Sequence, residues 1–170
     1  LEARGRSHQL RRSYRTTREI LEFAALFYRL RLTEEKENDI LAPDLLNMPN
    51  GALPEMIALT SAQDEINRVA NEVEVLVKKG YSRRHLLILH ANGQGVMALK
   101  DAIDRRLGKD TAIDPKETFP GDYIRVTTLN AGAGLESPLV FLVGLRELFE
   151  EEQSLRLSDD EREALIRDNT

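Results

Sequence analysis

Apolar side chains recur every three or four positions in three stretches of this chain, over residues 17–30, 62–79 and 96–107. This is the period of a helix that buries one face, so the pattern predicts three amphipathic helices. Gly80 and Gly108 directly follow the second and third stretches. Because glycine commonly follows the last residue of a helix, these two positions predict where the helices end.

Three helix starts are marked by a hydroxyl residue that is followed three positions later by an acid. In this arrangement the hydroxyl accepts a hydrogen bond from a free backbone N–H of the first turn, and the acid favours the same end of the helix. The pairs are Thr16 with Glu19, Ser61 with Asp64, and Ser158 with Glu161. The pair of Ser158 and Glu161 predicts a further helix that runs towards the end of the sequence.

Four shorter stretches, over residues 56–60, 86–89, 124–129 and 139–143, are rich in apolar or β-branched residues. Runs of this length suit strands better than helices. Strands that are apolar on both faces and alternate with helices are typical of a parallel sheet that is covered on both sides. The pattern therefore predicts one α/β domain with a mainly parallel sheet over residues 1–170.

Irregular connections are predicted where proline and glycine accumulate between these elements. Residues 33–50 and 109–122 carry four of the six prolines, and the first connection has room for one helical turn. Residues 8–14 lead into the first helix and are compatible with a short strand.

Composition and charge exclude several classes of protein. The chain has 170 residues, no cysteine and a net charge of −5, so a disulfide scaffold and a cysteine-based zinc site are ruled out. No apolar run approaches the length of a membrane span, and we predict a cytoplasmic protein without a membrane partner. The negative charge argues against nucleic acid, but six arginines and one acid occupy residues 1–18, so that end favours an anion.

The loop over residues 127–137 is the first candidate site, because small residues there allow a ligand to approach the backbone. Gly132 and Gly134 follow a predicted strand, yet Ser137 and the next strand replace the third glycine and the helix of a dinucleotide fingerprint. A dinucleotide enzyme is therefore rejected. The carboxylate of Glu136 suits a ribose hydroxyl or a metal-bound water; the alternative is a surface acid beside a tight turn.

Arg15 is the second candidate, since it directly precedes a capped helix. The positive end of a helix and a guanidinium together favour a phosphate; the alternative is a surface arginine paired with Glu19 or Glu22. No segment has the pattern G-x-x-x-x-G-K-S/T, so the chain lacks the main phosphate cradle of an NTP site. The histidines show no metal-ligand spacing, and we predict no metal site.

In order and context, two motifs resemble the UvrD/Rep family of superfamily one DNA helicases, specifically the second RecA-like motor domain. Residues 10–20, LRRSYRTTREI, look like helicase motif IV, and residues 126–138, VTTLNAGAGLESP, look like motif V. The resemblance spans essentially the whole chain. It implies a RecA-like, three-layer α/β fold of the P-loop NTPase type, with the sequence ending before motif VI.

The resemblance also implies roles for individual residues and partners. Arg15 would reach the γ-phosphate as the catalytic residue, and Tyr14 would border the nucleotide. Gly134 and Glu136 would lie near the ribose or the phosphates, while the DNA contacts are expected at Thr128 and Asn130. ATP with Mg²⁺ would be held mainly by the N-terminal RecA-like domain of the same protein, and the other partner would be single-stranded or partly duplex DNA.

Three positions depart from the family pattern. Asn130 stands where the family usually has His, Ala133 where it has Lys, and Ser137 where it has an aromatic residue. The loss of a cation at Ala133 weakens the expected DNA contact, which favours an alternative: a degenerate helicase-like domain that binds a protein or a nucleotide without motor activity. Because the phosphate loop and motif VI are missing, we expect no ATPase activity from these 170 residues alone.

Overall fold

The computed structural model describes residues 16–31, 45, 48–116, 121–154 and 156–168. The chain divides into two compact units: Leu1–Ile57 together with Ser158–Thr170, and Ala58–Leu157. The single domain expected over residues 1–170 stays a prediction.

The described part of the chain contains four strands and five α-helices. The strands are β1 (Leu86–His90), β2 (Ala112–Ile113), β3 (Ile124–Thr128) and β4 (Leu139–Val143). A 3-10 helix over Arg83–His85 precedes β1. The α-helices are α1 (Arg18–Arg31), α2 (Ala62–Lys78), α3 (Gly93–Leu107), α4 (Leu145–Glu152) and α5 (Asp159–Asp168).

The larger unit, Ala58–Leu157, is built on a four-stranded sheet in the order β2-β3-β1-β4, and every pair of neighbouring strands is parallel. In the centre of the sheet, Ile88 lies in register between Val126 and Phe141. The predicted fold class is confirmed: the structure is α/β, with an all-parallel sheet flanked by helices, consistent with a RecA-like three-layer fold.

The core of this unit lies between α2, α3 and one face of the sheet. Leu86 and Ile88 of β1 and Val126 of β3 are fully buried there, together with Val73 of α2 and Leu99 of α3. The alternate β1 residues point to the other face. Because both faces of the central strand are buried, its sequence is apolar at every position except the last.

The predicted start and end of α2 are confirmed by hydrogen bonds. Ser61 Oγ accepts a hydrogen bond from the Asp64 N–H at 3.1 Å. At the other end, the Gly80 N–H donates to the Val77 carbonyl at 3.0 Å and the Tyr81 N–H donates to the Leu76 carbonyl at 3.1 Å. This pair of bonds is a Schellman motif, which requires the positive φ of +91° that Gly80 adopts.

In the smaller unit, α1 and α5 occupy the positions that their sequence patterns predict. The capping pair of α5 is reciprocal, because Ser158 N–H donates to Glu161 Oε2 at 2.8 Å and Glu161 N–H donates to Ser158 Oγ at 3.3 Å. Glu19 in α1 accepts a hydrogen bond from the Gly51 N–H at 2.6 Å. Its own backbone N–H and that of Gly51 lower the pKa of the Glu19 carboxyl.

The strand predicted over residues 56–60 is wrong. These residues have no strand in the structure, and Met56 is 72% exposed. The carbonyls of Leu59 and Thr60 accept hydrogen bonds from the Arg146 guanidinium, so a side chain satisfies them instead of a neighbouring strand. The connection predicted over residues 109–122 contains β2, and α4 follows β4 without having been predicted.

Candidate functional site

The carboxyl ends of β1, β3 and β4 lie side by side at one edge of the sheet, which we call the carboxyl edge. His90, the last residue of β1, is in register with Thr128 and Val143. The Leu129 N–H donates to the His90 carbonyl at 2.9 Å, and the Ala91 N–H donates to the Val143 carbonyl at 3.0 Å. Ligands of open parallel α/β sheets commonly bind at this edge.

The loop over residues 129–138, which we call the crossover loop, begins at this edge with a tight turn. The Gly132 N–H donates to the Thr128 carbonyl at 2.8 Å, and the Ala131 N–H donates to Thr128 Oγ1 at 3.2 Å. Asn130 is exposed on this turn. The two residues predicted to contact DNA therefore lie together at the carboxyl edge, where the Thr128 hydroxyl also stabilises the turn.

Gly134 ends the turn with φ of +83°, a conformation that costs a residue with a side chain about 1–2 kcal/mol. A Cβ added to Gly134 would have no heavy atom within 4 Å. The backbone here is thus open to the close approach of a ligand, and this fits the nucleotide contact predicted for this glycine.

The end of the crossover loop lies at the opposite edge of the sheet, which we call the amino edge. Arg125 Nη2 donates to the Glu136 carbonyl at 2.8 Å and to the Arg84 carbonyl at 3.3 Å. The Ser137 hydroxyl donates to the His85 carbonyl at 2.7 Å. Since His85 lies five residues before His90, Glu136 is about 16 Å from the carboxyl edge at 3.3 Å per strand residue.

The structure thus divides the predicted site residues of motif V into two groups. Thr128 and Asn130 lie at the carboxyl edge, whereas Glu136 lies at the amino edge with an exposed side chain. Gly134 belongs to the turn between them. Tyr14 and Arg15 lie outside the described residues, and their roles stay predictions.

Two residues at the carboxyl edge, His90 and Asn92, were not predicted as site residues. Asn92 caps α3, because its Oδ1 accepts a hydrogen bond from the Gly95 N–H at 2.8 Å. Its own N–H donates to His90 Nδ1 at 3.1 Å, and its Nδ2 donates to Glu147. His90 is a strand-end residue as predicted, and it is only 3% exposed. The sequence signal that could have identified these two residues is the buried strand that ends at His90 and is followed directly by small residues and a helix.

Carboxylates give the carboxyl edge a negative character. Glu65 Oε1 accepts a hydrogen bond from the Gly144 N–H at 3.1 Å, and Glu147 is bound to the cap of α3. Hydrogen bonds from Ser61 and then Thr60 lower the pKa of Asp64 in the first turn of α2. This edge therefore offers hydrogen-bonding groups such as the exposed Asn130 amide beside several carboxylates.

The amino edge has the opposite character, because basic side chains follow α2 and precede β1. Lys79, Arg83 and Arg84 lie there, and Arg125 lies on the adjacent strand. The two edges consequently differ in charge as well as in the predicted site residues that they carry.

Comparison with known proteins assigns no function to this chain, so the proposal of a function depends on the residues described above. No protein-family model matches the chain, and no curated protein sequence matches it. In the part of the chain that the structure describes, no helix has both the length and the apolar character needed to cross a membrane.

Proposed function

We propose that this chain is the second RecA-like motor domain of a cytoplasmic, ATP-dependent DNA helicase. It closes over ATP that the N-terminal RecA-like domain of the same protein binds, and it contacts single-stranded DNA during translocation and unwinding. Analogy with the UvrD/Rep family gives the direction of movement as 3′ to 5′.

The observation that carries this proposal is the separation of the motif V residues along the crossover loop. The family resemblance assigns DNA to Thr128 and Asn130 and nucleotide to Gly134 and Glu136. Along this loop, Thr128 and Asn130 lie at the carboxyl edge and Glu136 lies at the amino edge, so the residues assigned to DNA and the acid assigned to the nucleotide are held apart. The order of motifs IV and V and the all-parallel sheet support the proposal further.

In the proposed mechanism, each site residue has one task. ATP with Mg²⁺, held by the partner domain, supplies phosphoryl transfer to water. Closure brings the Arg15 guanidinium to the γ-phosphate, where a fixed cation stabilises the charge that develops on the phosphate oxygens. Glu136 accepts hydrogen bonds from the ribose, and Asn130 donates to the DNA backbone. Opening and closing then move the two domains along the strand.

The test is DNA-stimulated ATP hydrolysis by the full-length protein, with Arg15→Ala compared with Arg18→Ala. Arg18 is a matched control, because it is exposed near the same helix start and pairs with Glu22 at 2.9 Å. We expect Arg15→Ala to lower kcat by roughly 10³-fold or more, as loss of an arginine finger does, with nucleotide affinity changed only a few-fold. Equal turnover in the two variants would refute the role of Arg15.

The degenerate binding domain remains the second candidate, because Ala133 is exposed on the turn and carries no charge where the family has Lys. In that case the full-length protein would hydrolyse no ATP, with or without DNA. The same ATPase assay on the wild-type protein therefore separates the two candidates.

A further inference from the structure

We infer that the turn joining α2 to β1 binds the phosphate backbone of a nucleic acid strand. We call this segment, Lys78–His85, the basic turn. It lies at the amino edge, so the contact is separate from the one proposed for Thr128 and Asn130. The inference rests on the proposed function only in naming nucleic acid as the partner, since it requires no motor activity.

The basic turn is strongly cationic in an acidic chain. It carries four Lys or Arg residues and no acid, whereas the whole chain has a net charge of −5. Lys78 pairs with Glu74 at 2.6 Å, and Arg84 lies 3.8 Å from Asp122. Within the described part of the chain, the side chains of Lys79 and Arg83 have no such acidic partner. Two cations are therefore available to an anionic ligand.

Hydrogen bonds hold the backbone of the basic turn in one conformation. The Schellman motif at Gly80 fixes its first half. In its second half, Asp122 accepts from Ser82 Oγ at 3.1 Å, from the Arg84 N–H at 3.1 Å and from the Arg83 N–H at 3.4 Å. Burial raises the pKa of Asp122, but these hydrogen bonds outweigh it and the pKa lies below its ordinary value. Asp122 thus stays ionised and keeps the turn ordered before a ligand arrives.

The Arg84 guanidinium is also held in place. Its Nη2 and Nε donate to the Gly121 carbonyl at 2.9 and 3.2 Å, while 68% of the side chain remains exposed. A guanidinium that is already oriented loses less conformational freedom when it binds a phosphate oxygen.

Tyr81 identifies nucleic acid as the best partner for these cations. Its side chain is 48% exposed and lies between Lys79 and Arg83 in sequence. An exposed aromatic ring beside cations is the combination with which proteins stack bases while neutralising phosphates. A lipid surface would require an apolar cluster to enter the bilayer, and Tyr81 is the one large apolar side chain exposed in the basic turn.

The test measures binding of a labelled single-stranded DNA oligonucleotide to the full-length protein by fluorescence anisotropy over a range of salt concentrations. The variant Lys79→Ala/Arg83→Ala removes both available cations. The control Lys109→Ala/Lys116→Ala removes two exposed cations elsewhere. We expect the first variant, relative to the control, to reduce the slope of log K against log salt by about 1.4, which is 0.7 for each phosphate contact with a single strand.

A second variant tests the stacking role without changing the charge. We expect Tyr81→Ala to weaken binding between about fivefold and about 150-fold, as loss of one base–aromatic stack does. Far-UV circular dichroism of each variant verifies that it is folded. The inference is overturned if the Lys79→Ala/Arg83→Ala variant and the control bind with the same affinity and the same slope.

The Asn130→Ala variant separates failure of this inference from failure of the proposed function. If Asn130→Ala weakens DNA binding and the basic-turn variants do not, the inference is wrong and the proposed function stands. If the basic-turn variants weaken binding while the wild type shows no DNA-stimulated ATPase activity, the inference stands and the motor assignment fails. Binding to anionic vesicles or to an acidic peptide, but not to DNA, would assign the basic turn to another partner and overturn the inference.

Discussion

Gly95→Ala probes the packing of the carboxyl edge most directly. Gly95 is buried in the first turn of α3, and a Cβ there would meet the Cε1, Nε2 and Nδ1 atoms of His90 well inside contact distance. Gly144 also packs closely against the ring, because a Cβ there would lie only 2.5 Å from Cε1 and 2.7 Å from Nε2. His90 Nδ1 is also held by the Asn92 N–H.

The expected change in the free energy of unfolding is the sum of two destabilising contributions and one stabilising contribution. Overpacking of a buried side chain costs about 1–3 kcal/mol, and displacement of the ring would also break its hydrogen bond with the Asn92 N–H, which is worth about 1 kcal/mol. Replacing glycine by alanine within a helix contributes about 1 kcal/mol in the opposite direction. We therefore expect Gly95→Ala to lower the free energy of unfolding by about 1–3 kcal/mol, or Tm by about 2–12 °C for a protein of this size.

The assay is urea and thermal unfolding followed by circular dichroism, with Gly93→Ala as the matched control. Gly93 lies two residues earlier in the same helix, and an added Cβ there would have no heavy atom within 4 Å. We expect this control to be neutral or slightly stabilising. When His90 is already replaced by alanine, adding Gly95→Ala should no longer lower the free energy of unfolding, because the imidazole ring that the new Cβ would meet is absent. Equal stability of Gly95→Ala and Gly93→Ala would refute the argument.

Two further predictions concern carboxylates of the larger unit. Asp104→Ala should lower the free energy of unfolding by about 2–3 kcal/mol, because Asp104 accepts three backbone N–H bonds from the segment that enters β2; the exposed Asp101→Ala is the control, and equal urea midpoints would contradict this. Hydrogen bonds from Lys78 and then Arg106 lower the pKa of Glu74 from 4.5, so its stabilising contribution is present above the ordinary pKa and is lost as the pH falls through the lowered value. Glu74→Gln should therefore lose less stability than the wild type between about pH 6 and about pH 3, and an unchanged loss in urea titrations would count against this.

Much of the fold was predictable because local interactions encode it. The apolar stripe and the Ser61 cap predict α2, and Gly80 predicts its end through a φ that other residues avoid. The reciprocal bonds of Ser158 and Glu161 likewise depend on residues three positions apart. The continuously apolar strands predict a parallel sheet, because only strands covered on both faces require that composition.

Short or isolated elements were not predictable from local pattern. β2 has two residues and exists because Ala112 and Ile113 pair with Ile124 and Arg125 of β3, which a sequence period cannot express. Residues 56–60 have the composition of a strand, but no neighbouring strand pairs with them and the Arg146 side chain satisfies two of their carbonyls.

The candidate site shows the same division between sequence and tertiary structure. The sequence alone predicted the crossover loop, its glycines and Glu136 as a candidate site, since small residues after a buried strand are a local signal. Thr128 and Asn130 were implied by the resemblance to the helicase family. Only the tertiary structure decided that Glu136 lies at the amino edge and that His90 packs against Gly95 and Gly144. These relations join residues distant in sequence through the strand order β2-β3-β1-β4, and side-chain packing, unlike helical period or capping, has no signature in neighbouring positions.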